Sequence, residues 1–192
     1  MKKLSFVLIA FTVATAAFSQ KTQFGIKAGV NVSDVKDDLA PDNTDSKVGF
    51  HVGGLAHIHL SRSFAVQPEV TYSLQGAKYT LPSYNGETQN SYISVPVLLQ
   101  YMVSGLRLQT GPQVGFLLNS KFKPSNGGAE GDLKDVSRDI NFEWAFGAGY
   151  LTPSGLGVDA RYNLGIANMY ENGRADAKSR VWQFGLFYQF KH

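Results

Sequence analysis

Apolar and polar residues alternate with a period of two over eight stretches of this chain, the signature of strands with one apolar and one polar face. In residues 23–33, Phe24, Ile26, Ala28, Val30 and Val32 share one face, and Gln23, Gly25, Lys27, Gly29, Asn31 and Ser33 share the other. Residues 47–60 set Val48, Phe50, Val52, Ala56, Ile58 and Leu60 against Gly49, His51, Gly53, His57 and His59. The same split runs through 64–75, 92–103, 106–119, 139–150, 156–166 and 180–190, with Asn119 on the polar face of the fifth stretch. A few residues disturb it. Pro68 removes a ladder donor, Leu98 and Met102 blur the fourth stretch, and Phe187 stands among Gln183, Gly185 and Gln189 in the last.

The connections alternate as regularly as the residues do. Residues 34–45, 76–90, 120–138 and 168–179 are long and polar, whereas 61–63, the two-residue hairpin turn Ser104-Gly105 and 152–155 are short. Eight strands joined in this way predict an all-β fold, an eight-stranded antiparallel up-and-down transmembrane β-barrel with short periplasmic turns and longer exterior loops. Strand length agrees: about ten residues at ~3.3 Å each, tilted about 45°, rise roughly 23 Å, close to the apolar band of such barrels. A secreted soluble barrel built around a ligand is the competing arrangement.

The polar face argues for the membrane. It carries many glycines, which suit a crowded eight-strand interior, and both charge signs at low density: Lys27, Glu69, Arg107, Glu143, Asp159 and Arg161. Opposite charges in a narrow lumen neutralise one another by pairing. These six residues are therefore expected to form a structural network of ion pairs that fills the bore. Aromatics near strand ends on the other face, Phe24, Phe64, Tyr101, Tyr150, Trp182 and Phe190, match the girdles of a membrane barrel.

Composition narrows the picture further. Charged residues make up 17% of the chain, aromatics 12%, and there are 20 glycines, a balance that favours strands. Lys2 and Lys3, the apolar run 4–17 and the small-x-small Ala17-Phe18-Ser19 read as a signal peptide over 1–19, leaving a barrel domain over 20–192. Removing it leaves 16 basic against 15 acidic residues, so nothing points to a nucleic-acid partner. With no cysteine there are no disulfides and no thiolate chemistry.

Three stretches carry a family resemblance: Phe24-Gly-Ile-Lys-Ala-Gly-Val-Asn-Val-Ser33, Tyr92-Ile-Ser-Val-Pro-Val-Leu-Leu-Gln-Tyr101 and Phe184-Gly-Leu-Phe-Tyr-Gln-Phe190. They resemble the PorT-like, or porin-family, outer-membrane β-barrel proteins. The resemblance implies an outer-membrane location, with the lipid bilayer as partner, and in the founding member a link to a protein secretion system. The alternating aromatic end also resembles the C-terminal signal read by the barrel-assembly machinery, with periplasmic chaperones as escorts. Here Lys191 and His192 follow the last aromatic, a departure from that signal.

Catalytic chemistry finds little footing. His51, His57 and His59 all fall on the lumen side of the second strand, away from the exterior loops where hydrolytic barrels keep their sites. His57 and His59 as an i, i+2 pair lack a carboxylate or cysteine to complete a metal site. Asp34, Asp37, Asp38, Asp42 and Asp45 match no EF-hand spacing and read as a solvated loop. The sequence thus predicts a non-enzymatic scaffold or surface-interaction protein without cofactor or metal, its exterior loops open to protein partners. A small porin-like channel and a secretion-system component are the alternatives.

Overall fold

The computed structural model describes residues 22–37, 44–81, 84–125, 131–134, 138–166 and 177–190. Within them lie β1 (Thr22–Asp37), β2 (Thr44–His59), β3 (Phe64–Gln75), β4 (Ala77–Leu81) and β5 (Tyr84–Val103). There follow β6 (Leu106–Pro124), β7 (Gly131–Asp132), β8 (Ile140–Leu151), β9 (Leu156–Gly165) and β10 (Ala177–Gln189). Each strand pairs antiparallel with its neighbours, and β1 pairs with both β2 and β10, so the sheet closes on itself. β4 continues the line of β3 past Gly76, pairing as β3 does with β2 and β5, and β7 is a short ribbon on β6. The wall is therefore the expected barrel of eight strands.

Alternation decides which side chain goes where. Even-numbered residues of β1 and β10 point outward, and Phe24, Ile26, Val30, Trp182, Phe184 and Leu186 are about half exposed. Their odd-numbered neighbours Lys27, Asn31, Val181, Gln183 and Gln189 are buried in the bore. A soluble protein rarely exposes a continuous apolar belt of this kind. Aromatic pairs lie along it: Phe64–Tyr101 and Tyr188–Phe190 near the short-turn end, Phe50–Tyr72 and Tyr162–Trp182 further from it.

Phe187, the irregular residue of the last strand, is inward and buried, as are Leu98 and Tyr92. Asn119 departs from its expected place on the lumen face. A bulge between Ser91/Tyr92 of β5 and the facing stretch of β6 leaves Leu118 as an extra residue, so both Leu118 and Asn119 are exposed while Leu117 and Ser120 are buried. The strands also run further than the apolar pattern indicates. β4 and β5 extend through much of the expected 76–90 loop by pairing Lys78 with Glu87 and Thr80 with Asn85. β6 likewise continues to Pro124 within the expected 120–138 loop. Beyond the apolar belt the outward positions turn polar, as at Lys78 and Lys121, while Ala77, Ser120 and Phe122 stay buried inward, so the apolar-out, polar-in signal vanishes although the ladder continues.

At the short-turn end, Ser104 (φ 48°) and Gly105 (φ 88°) make the tight turn that the right-handed twist of a hairpin favours. Three prolines interrupt the pairing within the wall. Pairing lapses between β2 and β3 at Ala56/His57 opposite Pro68/Gln67, between β3 and β5 opposite Pro96, and between β5 and β6 opposite Pro112. Each proline lacks the N–H that the neighbouring strand would accept. Outside the first lapse a groove of about 400 Å³ opens between Phe24, Ala56, Pro68 and Val70, where a Cβ on Gly54 would touch only the Gly25 carbonyl oxygen, at 3.7 Å.

Candidate functional site in the barrel lumen

Three strands bring four of the lumen charges together. In ring order β3 and β9 stand diametrically opposite, with β1 a quarter-turn from each. From β9, Arg161 reaches across the bore to Glu69 on β3 with two hydrogen bonds, Nη1 to Oε2 at 3.0 Å and Nη2 to Oε1 at 2.8 Å. This fork-on-carboxylate geometry is the strongest form of the pair. Lys27 on β1 joins them, its Nζ 3.3 Å from Glu69 Oε2 and 3.1 Å from Asp159 Oδ2. Gln67 donates to Glu69 Oε1 at 2.8 Å, and Arg161 lies 3.6 Å from Asp159. Two cations and two carboxylates thus form a neutral knot across the centre of the barrel.

The other two charged residues stand apart from this knot and from each other. Arg107, near the short-turn end, donates from Nη2 to Gln189 Oε1 at 2.8 Å and sits 5.6 Å from the Phe187 ring. Glu143, toward the opposite end, accepts hydrogen bonds from Gln113, from Asn141 at 3.0 Å and from Ser179 at 3.0 Å. Ser179 reaches it past Gly165, where a Cβ would meet the Ser179 backbone. In the β6–β8 register Arg107 faces Gly149 and Gln113 faces Glu143, six residues along the strand or roughly 20 Å. The expected network of six ion-paired residues is therefore a knot of four plus two charges held by neutral groups.

Sequence reasoning did not single out the amides that tie these groups together. Asn31 is a hub: its Nδ2 donates to Phe50 O, Ser73 Oγ and Leu74 O, and its Oδ1 faces Gln183 Nε2 at 3.1 Å and His51 Nδ1 at 2.8 Å. Because that oxygen can only accept, His51 must carry its proton on Nδ1. Gln67 Oε1 imposes the same tautomer on His57, 3.2 Å away, while Gln100 donates to Gln109 at 3.0 Å. The signal was present in the sequence as amides at inward parity, yet amides alone do not specify partners.

Chemically, the lumen is a hydrogen-bonded plug. Each of His51 and His57 is engaged with an amide, and the His57 ring packs edge-on against His59 at 4.5 Å. Among the described residues no group of three metal-ligating side chains converges. Of the aspartate cluster, Asp38 and Asp42 lie outside the described residues, as does the expected signal peptide. At the long-connection end Lys47 contacts Glu87 at 2.9 Å and Thr88 O at 3.1 Å, holding β2 to β5 across the Gly76 break between β3 and β4.

Known proteins share this architecture. A profile of the family described as outer membrane protein beta-barrel domain matches residues 18–171. Ail, the attachment invasion locus protein of Yersinia pestis, is similar in structure, with a TM-score of 0.54 and 17% identity over 88% of this chain and 98% of Ail. Neisserial surface protein A, NspA, gives a TM-score of 0.55 and 14% identity over 87% of this chain and 97% of its own. At such identities the likeness is one of fold. No curated protein matches the chain in sequence.

Proposed function

The chain belongs to the outer membrane protein beta-barrel domain family, and on that premise we propose that it is a non-catalytic membrane scaffold whose filled lumen serves to hold a surface in place. The observation that carries this reading is the Arg161–Glu69 fork spanning the bore. A solute passing from end to end has to break a buried, doubly hydrogen-bonded ion pair, which costs about 3–5 kcal/mol when one partner is left uncompensated. The histidines also support it, because His51 and His57 are held by amides inside the barrel rather than beside a nucleophile at its rim.

In this reading residues 1–19 are a signal peptide, the three short turns face the periplasm, and the long connections face the exterior, where protein partners dock. The C-terminal strand is read by the barrel-assembly machinery after escort by periplasmic chaperones. The narrower PorT-like likeness rests on the three stretches in β1, β5 and β10, and with it goes the proposal of a secretion-system role.

Planar-bilayer recording of the refolded barrel tests the scaffold reading. The expected trace is flat, and a stable, ion-selective conductance would instead make the protein a small channel. Affinity purification from native membranes tests the secretion role, which fails if no periplasmic or inner-membrane component is recovered. Protease shaving of intact cells tests the orientation: cleavage in residues 126–130 with the Ser104–Gly105 turn spared is the expected result.

A further inference from the structure

Lys27 and Arg161 share Glu69 and Asp159, two cations on two carboxylates. Arg107 is only 6% exposed, yet among the described residues no carboxylate pairs with it. Its Nη2 binds a neutral amide and its guanidinium packs near a ring, contacts that stabilise a cation without neutralising it. Nη1 has no partner at all, and beside it Gln189 Nε2 is likewise an unpartnered buried donor. An isolated charge in such surroundings is costly unless a counter-charge comes close.

Next to Arg107 lies a largely enclosed cavity of about 10 Å³, room for one water-sized or monatomic occupant. Its charged walls are Arg107, Lys27 and Asp159, and its amide walls are Gln67, Gln100 and Gln109. Two cations against one carboxylate leave a net positive wall; Asp159 Oδ2 is engaged by Lys27, while Asp159 Oδ1 and Gln100 Oε1 are buried acceptors without a partner. Arg107 is the second residue of β6 after the Ser104–Gly105 turn, so the cavity is within reach of the short-turn rim.

We propose that this cavity is a binding site for one small inorganic anion of the size of chloride, held by Arg107 Nη1 with Lys27 as the second cation. A water molecule satisfies the hydrogen bond but not the charge; a halide satisfies both. Asp159 opposes the anion and sets the selectivity, since a polyatomic anion exceeds the volume and a doubly charged one exceeds the single excess charge. The site does not depend on the scaffold reading, because a conducting barrel would hold it equally well.

The test uses the full barrel refolded in detergent. Bromide serves as a chloride mimic with an anomalous signal: crystals grown in sodium bromide should show a peak beside Arg107 Nη1. In solution, the urea midpoint should rise saturably as sodium gluconate is replaced by sodium chloride at constant ionic strength, and the rise should be lost in Arg107→Gln. Absence of the bromide peak together with equal midpoints in the two salts overturns the proposal, as does an unchanged chloride effect in Arg107→Gln. Should that variant fail to fold, Arg107→Lys, which keeps the charge, should retain the chloride effect at a weaker half-saturation. A chloride effect identical to that of the unaltered barrel counts against the named guanidinium contact.

Discussion

Glu69 is the residue on which the interior depends most, because both Arg161 and Lys27 direct their charge to it from other walls. Glu69→Gln keeps the shape and removes the charge, leaving two buried cations on Asp159 alone. Unfolding in urea should show a loss of about 3–5 kcal/mol. Replacing Glu69 and Arg161 together by leucine and methionine should cost less than the two single changes added, the mark of a coupled pair. Gly29 is a second sensitive point: a Cβ there collides with the Phe184 carbonyl oxygen and the His51 ring. Gly29→Leu should therefore prevent the heat-modifiable, compact form from appearing on a gel. At this scale parity told which side chains share a face, since it needs no knowledge of the fold, and it failed only where the bulge turns Asn119 outward. Partners were another matter. Arg161 and Glu69 are 92 residues apart, and their meeting depends on the stagger of strands around a closed ring, which no single stretch encodes.

Each strand is an apolar stripe whose value depends on depth. Val30 of β1 is half exposed and sits mid-strand between Phe50 and Phe184, whereas Val158 lies two residues from the start of β9, beside Tyr150. Arginine should cost roughly 2–4 kcal/mol at Val30 and only about 0–1 at Val158, the depth dependence expected of a lipid-facing wall. Equal effects measured by reversible folding into vesicles would contradict that depth assignment. The proline-bearing strands make a separate prediction. Where pairing lapses around Pro68, Pro96 and Pro112, local opening is easier. Amide exchange followed by NMR should be faster at Ala56, His57 and Val70 than at Ala28 and Val30, which are fully laddered on both sides. Strand existence was legible from period two, and Pro68 was recognised as a misfit. Pro96 and Pro112 show their effect only when the strands are aligned, and the true strand ends are hidden because polar outward residues such as Lys78 and Lys121 erase the alternation.

For the molecule as a whole, alternating short and long connections were enough to yield a closed meander, and the closure pairs Gly25 with Gln189 through to Asp37 with Ala177. The division of the lumen into one neutral knot and two separated charges was not legible, since composition says only that both signs are present. If the knot blocks the bore, removing its charges should open it. Conductance of a folded Glu69→Ala, Arg161→Ala barrel should exceed that of the unaltered protein, and an equally flat trace would show that Lys27, Asp159 and the surrounding amides suffice to block it.

The β1–β10 seam carries a consequence for the order of events in folding. Its paired residues are separated by nearly the whole chain, the greatest separation of any strand pairing described, so their pairing is expected to come last. A growing chain that has not yet produced residues 177–189 can build hairpins but not a ring, and it presents two unpaired strand borders at once. Ring closure of this protein accordingly waits on its last strand.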